Sequence, residues 1–414
     1  MSSPQPVVYL HIGAMKTGTT FLQRLMISNR DVLATAGYLF PGARWYEQDR
    51  AVRDILSMAR KDPPMRALCE GMWDKLAEQM LAHRGRASIL SMEFLSFASV
   101  RQAAGVIGSL HGAEVHVVLT VRDAVGALPA QWQTHSRNGG TVSWPTFARS
   151  ARRGARFGRL ARGQGARVFE MAQGIPRILR VWGKVVPADR LHVITVPPSG
   201  SDPRLLWERF ASVVGVDATV CAIPAENSNP SLGQPSAELM RLINAKLGKL
   251  PPSQYQPTLK AQLATKILTV RSGFEPGAVL DPQTRAFAMR WNLRVRKAIA
   301  RSGSHLVGDP SDLPVESPDA EGPQELSEPS DEDVLAAAAT ARDGLLRLIR
   351  RRQKRLRKQG DDRLEWPGID TAAVPTPQDR WRDHLDAAVD ELACLVRAAI
   401  ELHQQVTSGS SDTR

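Results

Sequence analysis

The chain predicts a three-layer α/β fold, a parallel sheet flanked by helices, with a helical extension towards its C-terminal end. Three observations carry that expectation. Short β-branched apolar runs recur at 7–12, 87–92, 114–121 and 189–196. They are close to continuously apolar, as strands covered on both faces must be. Stretches with apolar residues at helical spacing separate them, and that alternation builds parallel sheets through right-handed crossovers.

The first run, Val7-Val8-Tyr9-Leu10-His11-Ile12, leads into Gly13-Ala14-Met15-Lys16-Thr17-Gly18-Thr19-Thr20 and then a helical stretch from Phe21 to Met26. A loop of this kind aims backbone N–H groups at one point, and the helix dipole favours an anion there. The Lys16 ammonium and the hydroxyls of Thr17, Thr19 and Thr20 add charge and donors. The sheet is therefore expected to be P-loop NTPase-like. In the nucleoside-triphosphatase pattern the lysine directly follows the second glycine. Here Lys16 stands two residues before Gly18, which moves its ammonium relative to the phosphates and argues against ATP hydrolysis.

Helical patterns at about 48–59 and 64–83 follow, beside a basic and aromatic patch of Trp45, Tyr46, Arg50 and Arg53. The second run ends on Glu93 and the third on Arg122-Asp123. Ligands of open parallel sheets bind at the carboxyl ends of strands, where Lys16, Glu93 and Arg122 all fall. Glu93 has two readings, a general base or a cap on a short helix after it. His11 reads as core, and His135 and Asp123 are further candidate bases. Further patterns cover about 175–186 and 205–214. A basic glycine loop at 269–276 holds Arg271 and Gly273, and a helical run with Arg290, Trp291 and Asn292 follows it.

The order Lys16-Thr17-Gly18-Thr19-Thr20-Phe21 resembles the 5′-phosphosulfate loop of sulfotransferases that use 3′-phosphoadenylyl sulfate (PAPS). Met15 replaces that family's common proline. Arg122 is similar to the strand-end arginine that holds the 3′-phosphate in the family. Its partner serine, eight residues on, is Ala130 here, with Gln133, Thr134, Ser136 and Arg137 nearby as substitutes. Arg271 and Gly273 loosely resemble the late loop that closes over the nucleotide in carbohydrate sulfotransferases. The resemblance covers about 7–309. It implies an enzyme that transfers a sulfuryl group from PAPS, without a metal, to a hydroxyl or amine of an acceptor, by analogy a sugar or glycolipid. Lys16 would stabilise charge on the bridging oxygen. Thr17, Gly18, Thr19 and Thr20 would hold the leaving phosphate. Phe21 would stack on adenine, Arg122, Arg271 and Gly273 would bind the nucleotide, and Glu93 would take the acceptor's proton. Two other classes stay open: a P-loop small-molecule kinase, which would need Mg²⁺, and a non-catalytic nucleotide-binding or scaffold protein.

The 414 residues carry a formal net charge of +12, largely on arginine. A small polyanion or a solvated surface accounts for that balance without a nucleic-acid partner. Three cysteines, Cys69, Cys221 and Cys394, lie far apart and fit a reducing compartment. With no leader segment and no run of 18 apolar residues, a cytoplasmic protein is expected. Residues 1–309 are expected to form the α/β domain and 310–330 an acidic, proline-rich linker. Residues 331–414 form the helical extension, in two patterns from about 331 to 359 and 379 to 406. The first has an apolar stripe, acids at its start and a dense basic end, which complements the helix dipole. That basic end is a candidate contact for an anionic membrane, against the plainer reading of a solvated face. The acceptor pocket is expected from 31–85 and 138–175, the second bearing Arg152, Arg153, Arg156, Arg159 and Arg162.

Overall fold

A computed structural model describes residues 5–157, 163–202, 204–222, 232–316, 326–358 and 384–408. The strands among them are Val7–His11 (β1), Tyr38–Leu39 (β2), Ala87–Ser91 (β3), Glu114–Val121 (β4), Leu191–Thr195 (β5) and His305–Val307 (β6). They form one sheet in the order β2-β3-β1-β4-β5-β6, every neighbouring pair parallel. β1 lies at the centre, between β3 and β4. The chain fills one side of β1 first and then crosses to the other, so the order reverses at β1, where α/β sheets open a crevice.

Alternate residues along the strands point to opposite faces, and each face has its own core. Val8, Leu10, Ile12, Val117, Leu119 and Val193 pack on one side with residues of helices Met72–Ala82, Val100–Ser109, Ala124–Arg137, Ile175–Trp182 and Pro282–Ser302. Ile89, Val118 and Ile194 pack on the other with Leu22, Leu25 and Met26 of helix Thr19–Ser28 and with Trp207 and Phe210 of helix Arg204–Val214. An all-parallel sheet flanked by helices is therefore observed, as the sequence predicts.

Several boundaries differ. The expected helix 64–83 is two, Pro63–Cys69 and Met72–Ala82, broken at Gly71, whose φ is +73°. The expected glycine loop at 269–276 begins as a tight turn, Leu268–Arg271, that continues a π-helix, Gln256–Ile267. Arg159, Arg162 and residues 317–325 of the expected 310–330 linker lie outside the described residues, as does the side chain of Arg156. What is described at the ends of that stretch is docked rather than free. Asp312 is buried against Thr195 and Arg209, Leu313 is in the core, and Ser327 O accepts from Gln234 Nε2 at 2.8 Å.

Helices Asp331–Lys358 and Leu385–Ser408 pack on each other, on helix Gln234–Leu247 and on the π-helix. Val334, Ala338, Leu345, Leu348 and Leu392 belong to the same apolar cluster as the sheet. The apolar stripe of 331–358 is thus covered by protein, while Arg350, Arg351, Lys354, Arg355, Arg357 and Lys358 face solvent. Lys246–Asp390 at 2.9 Å and Arg342–Glu391 at 2.7 Å fasten helix 385–408 to its neighbours. Among the described residues no helix is long and apolar enough to cross a membrane.

Candidate functional site

The loop after β1 is held by backbone bonds to the longer β4. Ile12 N and Ala14 N donate to Val118 O and Thr120 O at 2.9 Å, and Thr120 N donates to Gly13 O at 2.5 Å. The buried Thr17 hydroxyl donates to Ala14 O at 2.6 Å and pairs with Thr120 Oγ1 at 2.5 Å. Thr17 is fully buried, so it fixes the loop from beneath, and Thr120 is the anchor that sequence reasoning missed.

Lys16 sits at φ +63°, a left-handed conformation that costs a non-glycine residue energy and recurs at functional sites. Gly18 takes φ +82° as the N-cap of helix Thr19–Ser28. A Cβ on Gly18 would meet Leu206 Cδ2 at 2.3 Å, so a larger residue would displace that side chain, and the positive φ itself favours glycine. The first helical bonds are Phe21 N and Leu22 N to Gly18 O. The amides of Thr19 and Thr20 ahead of them have no helical acceptor, the usual state of a first turn. Phe21 is half-buried against the core on that face of the sheet.

On one side of this loop, β3 ends beside β1, with Met92 N donating to His11 O at 3.0 Å, and delivers Glu93. Glu93 is the first residue of a short 3-10 helix, Glu93–Phe97, with Met92 at the N-cap. Its carboxylate accepts from Gln23 Nε2 at 3.1 Å, while Ser99 and Gln102 make the capping box of helix Val100–Ser109. Gln23 also donates to Ser91 O at 3.0 Å, so a side chain from the loop's own helix orients Glu93.

On the other side, β4 delivers Arg122. Its guanidinium lies over Gly126, where an added Cβ would come within 2.9 Å of Nη2. Asp123 is the N-cap of helix Ala124–Arg137, accepting from Val125 N at 3.0 Å and Gly126 N at 3.4 Å, and it also accepts from Asn292 Nδ2 at 2.6 Å. Those bonds make it a structural carboxylate rather than a base. His11 is fully buried between Ser91 and Thr120, and burial lowers its imidazole to about 3, which keeps it neutral and in the core. Burial also lowers His135, whose Nε2 is buried without a partner.

Four cations converge here. Burial draws the Lys16 ammonium down to about 8, and the charges of Arg137, Arg122 and Lys260 push the same way while Glu93 opposes them. Lys260 comes from the π-helix, and burial lowers it too, assisted by Arg137 and Arg53 and opposed by Asp49 and Glu93. Burial lowers Arg137 and Arg122 likewise. Arg137 Nε is buried with no hydrogen-bond partner. Among the described residues none of the four has an ion pair. All four are partly buried, and partly desolvated cations without counter-charges are costly and favour an anion beside them.

Arg271 is placed elsewhere. It pairs with Glu275 at 2.5 Å, donates to Thr340 Oγ1 at 3.2 Å and covers the Phe274 ring. It joins the C-terminal helices to the fold and is not among the charges acting on Lys16. Gly273 faces open space. Thr134, on the helix where a substitute for the missing serine was expected, back-bonds to Ala130 O at 3.0 Å, whereas Arg137 of the same helix joins the cluster. Lys260 lies in no motif, although Leu259, Leu263, Ala264, Ile267 and Leu268 recur around it at helical spacing. Among the described residues no group of His, Cys, Asp and Glu can hold a metal ion. No protein-family model, curated protein or solved structure matches the chain.

Proposed function

We propose that the chain is a sulfotransferase with a P-loop-type fold that moves a sulfuryl group from PAPS to a hydroxyl or amine of an acceptor. The supporting observation is the row formed at the central strand ends: Glu93, the loop with Lys16, then Arg122, with Arg137 and Lys260 added as unpaired cations. A donor with two separated anionic groups fits this cluster, because Arg137 Nε is buried without a hydrogen-bond partner and, among the described residues, none of the four cations has an ion pair.

The donor supplies an activated sulfuryl group. The amides of Thr19 and Thr20 and the Lys16 ammonium bind its 5′ anion, and Lys16 stabilises the charge that grows as the bond to the leaving oxygen breaks. Arg122, with its planar fork, holds the 3′-phosphate. Glu93, oriented by Gln23, takes the proton from the acceptor as its oxygen or nitrogen attacks sulfur. Transfer of labelled sulfate from PAPS to a panel of hydroxylated and amine acceptors tests the reading. Transfer without Mg²⁺ supports it. Labelled phosphate transferred from Mg·ATP instead would make the chain a small-molecule kinase.

A further inference from the structure

One segment touches both halves of the site. Helix Gln164–Gln173 ends at Gly174, and helix Ile175–Trp182 starts directly after it. A Cβ on Gly174 would stand 2.2 Å from the backbone oxygen of Glu170, so the sharp break between the two helices needs glycine. Gln173 lies just before the break and Arg177 just after it.

Gln173 is 2% exposed, and its Nε2 donates to Met15 O at 2.5 Å. Met15 O belongs to the peptide that leads into Lys16. In a planar trans peptide the carbonyl and the following N–H point in opposite directions. With the carbonyl held on Gln173, the Lys16 N–H therefore points away from helix Gln164–Gln173. Lys16 keeps a left-handed φ of +63°, which persists only where the surroundings enforce it. Turning the peptide between Met15 and Lys16 over would let Lys16 relax to a negative φ, and the bond from Gln173 opposes that turn. Thr17 fastens the neighbouring carbonyl, Ala14 O, from beneath at 2.6 Å, and Gln173 fastens the next one from the side of its helix.

Arg177 holds the segment that carries Glu93. Its Nη2 donates to Ser96 O at 2.7 Å and its Nη1 to Ala98 O at 3.5 Å. Ser96 Oγ in turn donates to Glu93 O at 2.7 Å, within the short helix Glu93–Phe97. A planar guanidinium on two carbonyls fixes where that turn lies as well as that it forms.

We infer that Gln173 is the positioning residue of Lys16, keeping its peptide in the orientation that receives the donor's 5′ anion, and that Arg177 positions the Glu93 turn, so that one segment registers the loop with the base. This rests on the sulfotransferase reading.

The test is calorimetry of the full chain with 3′-phosphoadenosine 5′-phosphate, beside turnover with PAPS. Gln173→Met keeps the length of the side chain, loses the donor, and should weaken the nucleotide about fivefold or more. Gln173→Glu should bind as weakly while its carboxyl is ionised. As the pH falls and that carboxyl gains a proton to donate, its affinity should recover relative to wild type at the same pH. A packing role alone would give no such recovery. Arg177→Met should leave nucleotide affinity within about twofold and lower turnover about tenfold or more, and Arg177→Lys should restore part of it. Wild-type affinity in Gln173→Met would overturn the inference, as would a Gln173→Glu variant whose affinity relative to wild type ignores pH. A variant Arg177→Met that loses nucleotide affinity as much as turnover would overturn the role of Arg177. Failure of the wild type to bind the nucleotide is a different result and would remove the sulfotransferase reading, and the inference with it.

Discussion

Gly13 and Glu93 are in backbone contact: a Cβ on Gly13 would stand 2.9 Å from Glu93 Cβ and 3.2 Å from Glu93 Cα. The Lys16 loop and the proposed base are thereby set against each other across neighbouring strands. Gly13 also takes φ +96°, which an L side chain rarely adopts. Gly13→Ala should therefore lower stability by about 1–3 kcal/mol and displace Glu93 from the loop. Thermal melting checks the first effect, and a loss of turnover beyond the fraction unfolded checks the second.

Glu93→Gln keeps the size of the side chain and removes its basicity. Nucleotide affinity should stay within a few-fold of wild type, while turnover falls by about 10²–10⁴. Turnover close to wild type would make His135 the next candidate, since His11 is sealed in the core and Asp123 is committed to a helix cap.

Lys16 binds anions only when charged, and burial brings its ammonium to about 8 in the free protein. Affinity for 3′-phosphoadenosine 5′-phosphate should be level below that pH and fall above it, approaching tenfold per unit. In the free protein at pH 7 the buried charge works against folding. Lys16→Met should then raise stability by roughly 1–3 kcal/mol while abolishing tight binding, a trade expected of a functional residue.

Away from the site, His116, His192 and His305 form a ladder across β4, β5 and β6, with His116 Nδ1 and His192 Nε2 at 3.0 Å. Burial lowers His192 to about 4, helped by His116 and His305 and opposed by Asp189. The folded state thus binds fewer protons than the unfolded chain, whose imidazole titrates near the usual 6.5. Stability from this group is intact above about 6.5 and falls by up to about 3 kcal/mol as the pH drops towards 4. Urea unfolding across that range should show the slope, and His192→Gln should flatten it.

Much of this was legible in the sequence, and the reasons are local. The strands β1, β3, β4 and β5 are continuous apolar runs, and Lys16, Glu93 and Arg122 stand at strand ends that a parallel sheet must gather. β2 and β6 are two and three residues long and leave no pattern to read. Arg137 stands on the helix where the sequence offers substitutes for the missing serine, whereas Lys260 joins the site only through the packing of a π-helix on that helix. Arg271 was expected at the nucleotide from the resemblance of its loop, and the structure pairs it with Glu275, four residues on.

Arg352 gives the C-terminal helices a measurable role. It is buried, and its recorded bonds go to Thr258 and Ala399 O rather than to a carboxylate. Arg352→Ala leaves a cavity and two acceptors without a donor, and should destabilise by about 1–3 kcal/mol. Hydrogen exchange should rise in 256–267 first, because that segment loses its brace.

The most direct test is calorimetric titration of wild type and Lys16→Ala with 3′-phosphoadenosine 5′-phosphate and, separately, with Mg·ATP. The wild type should bind the bisphosphate without metal and prefer it to Mg·ATP, and Lys16→Ala should lose at least tenfold in affinity. Equal or tighter binding of Mg·ATP, together with a Lys16→Ala variant that binds as well as wild type, would contradict the assignment of this loop to a phosphosulfate donor.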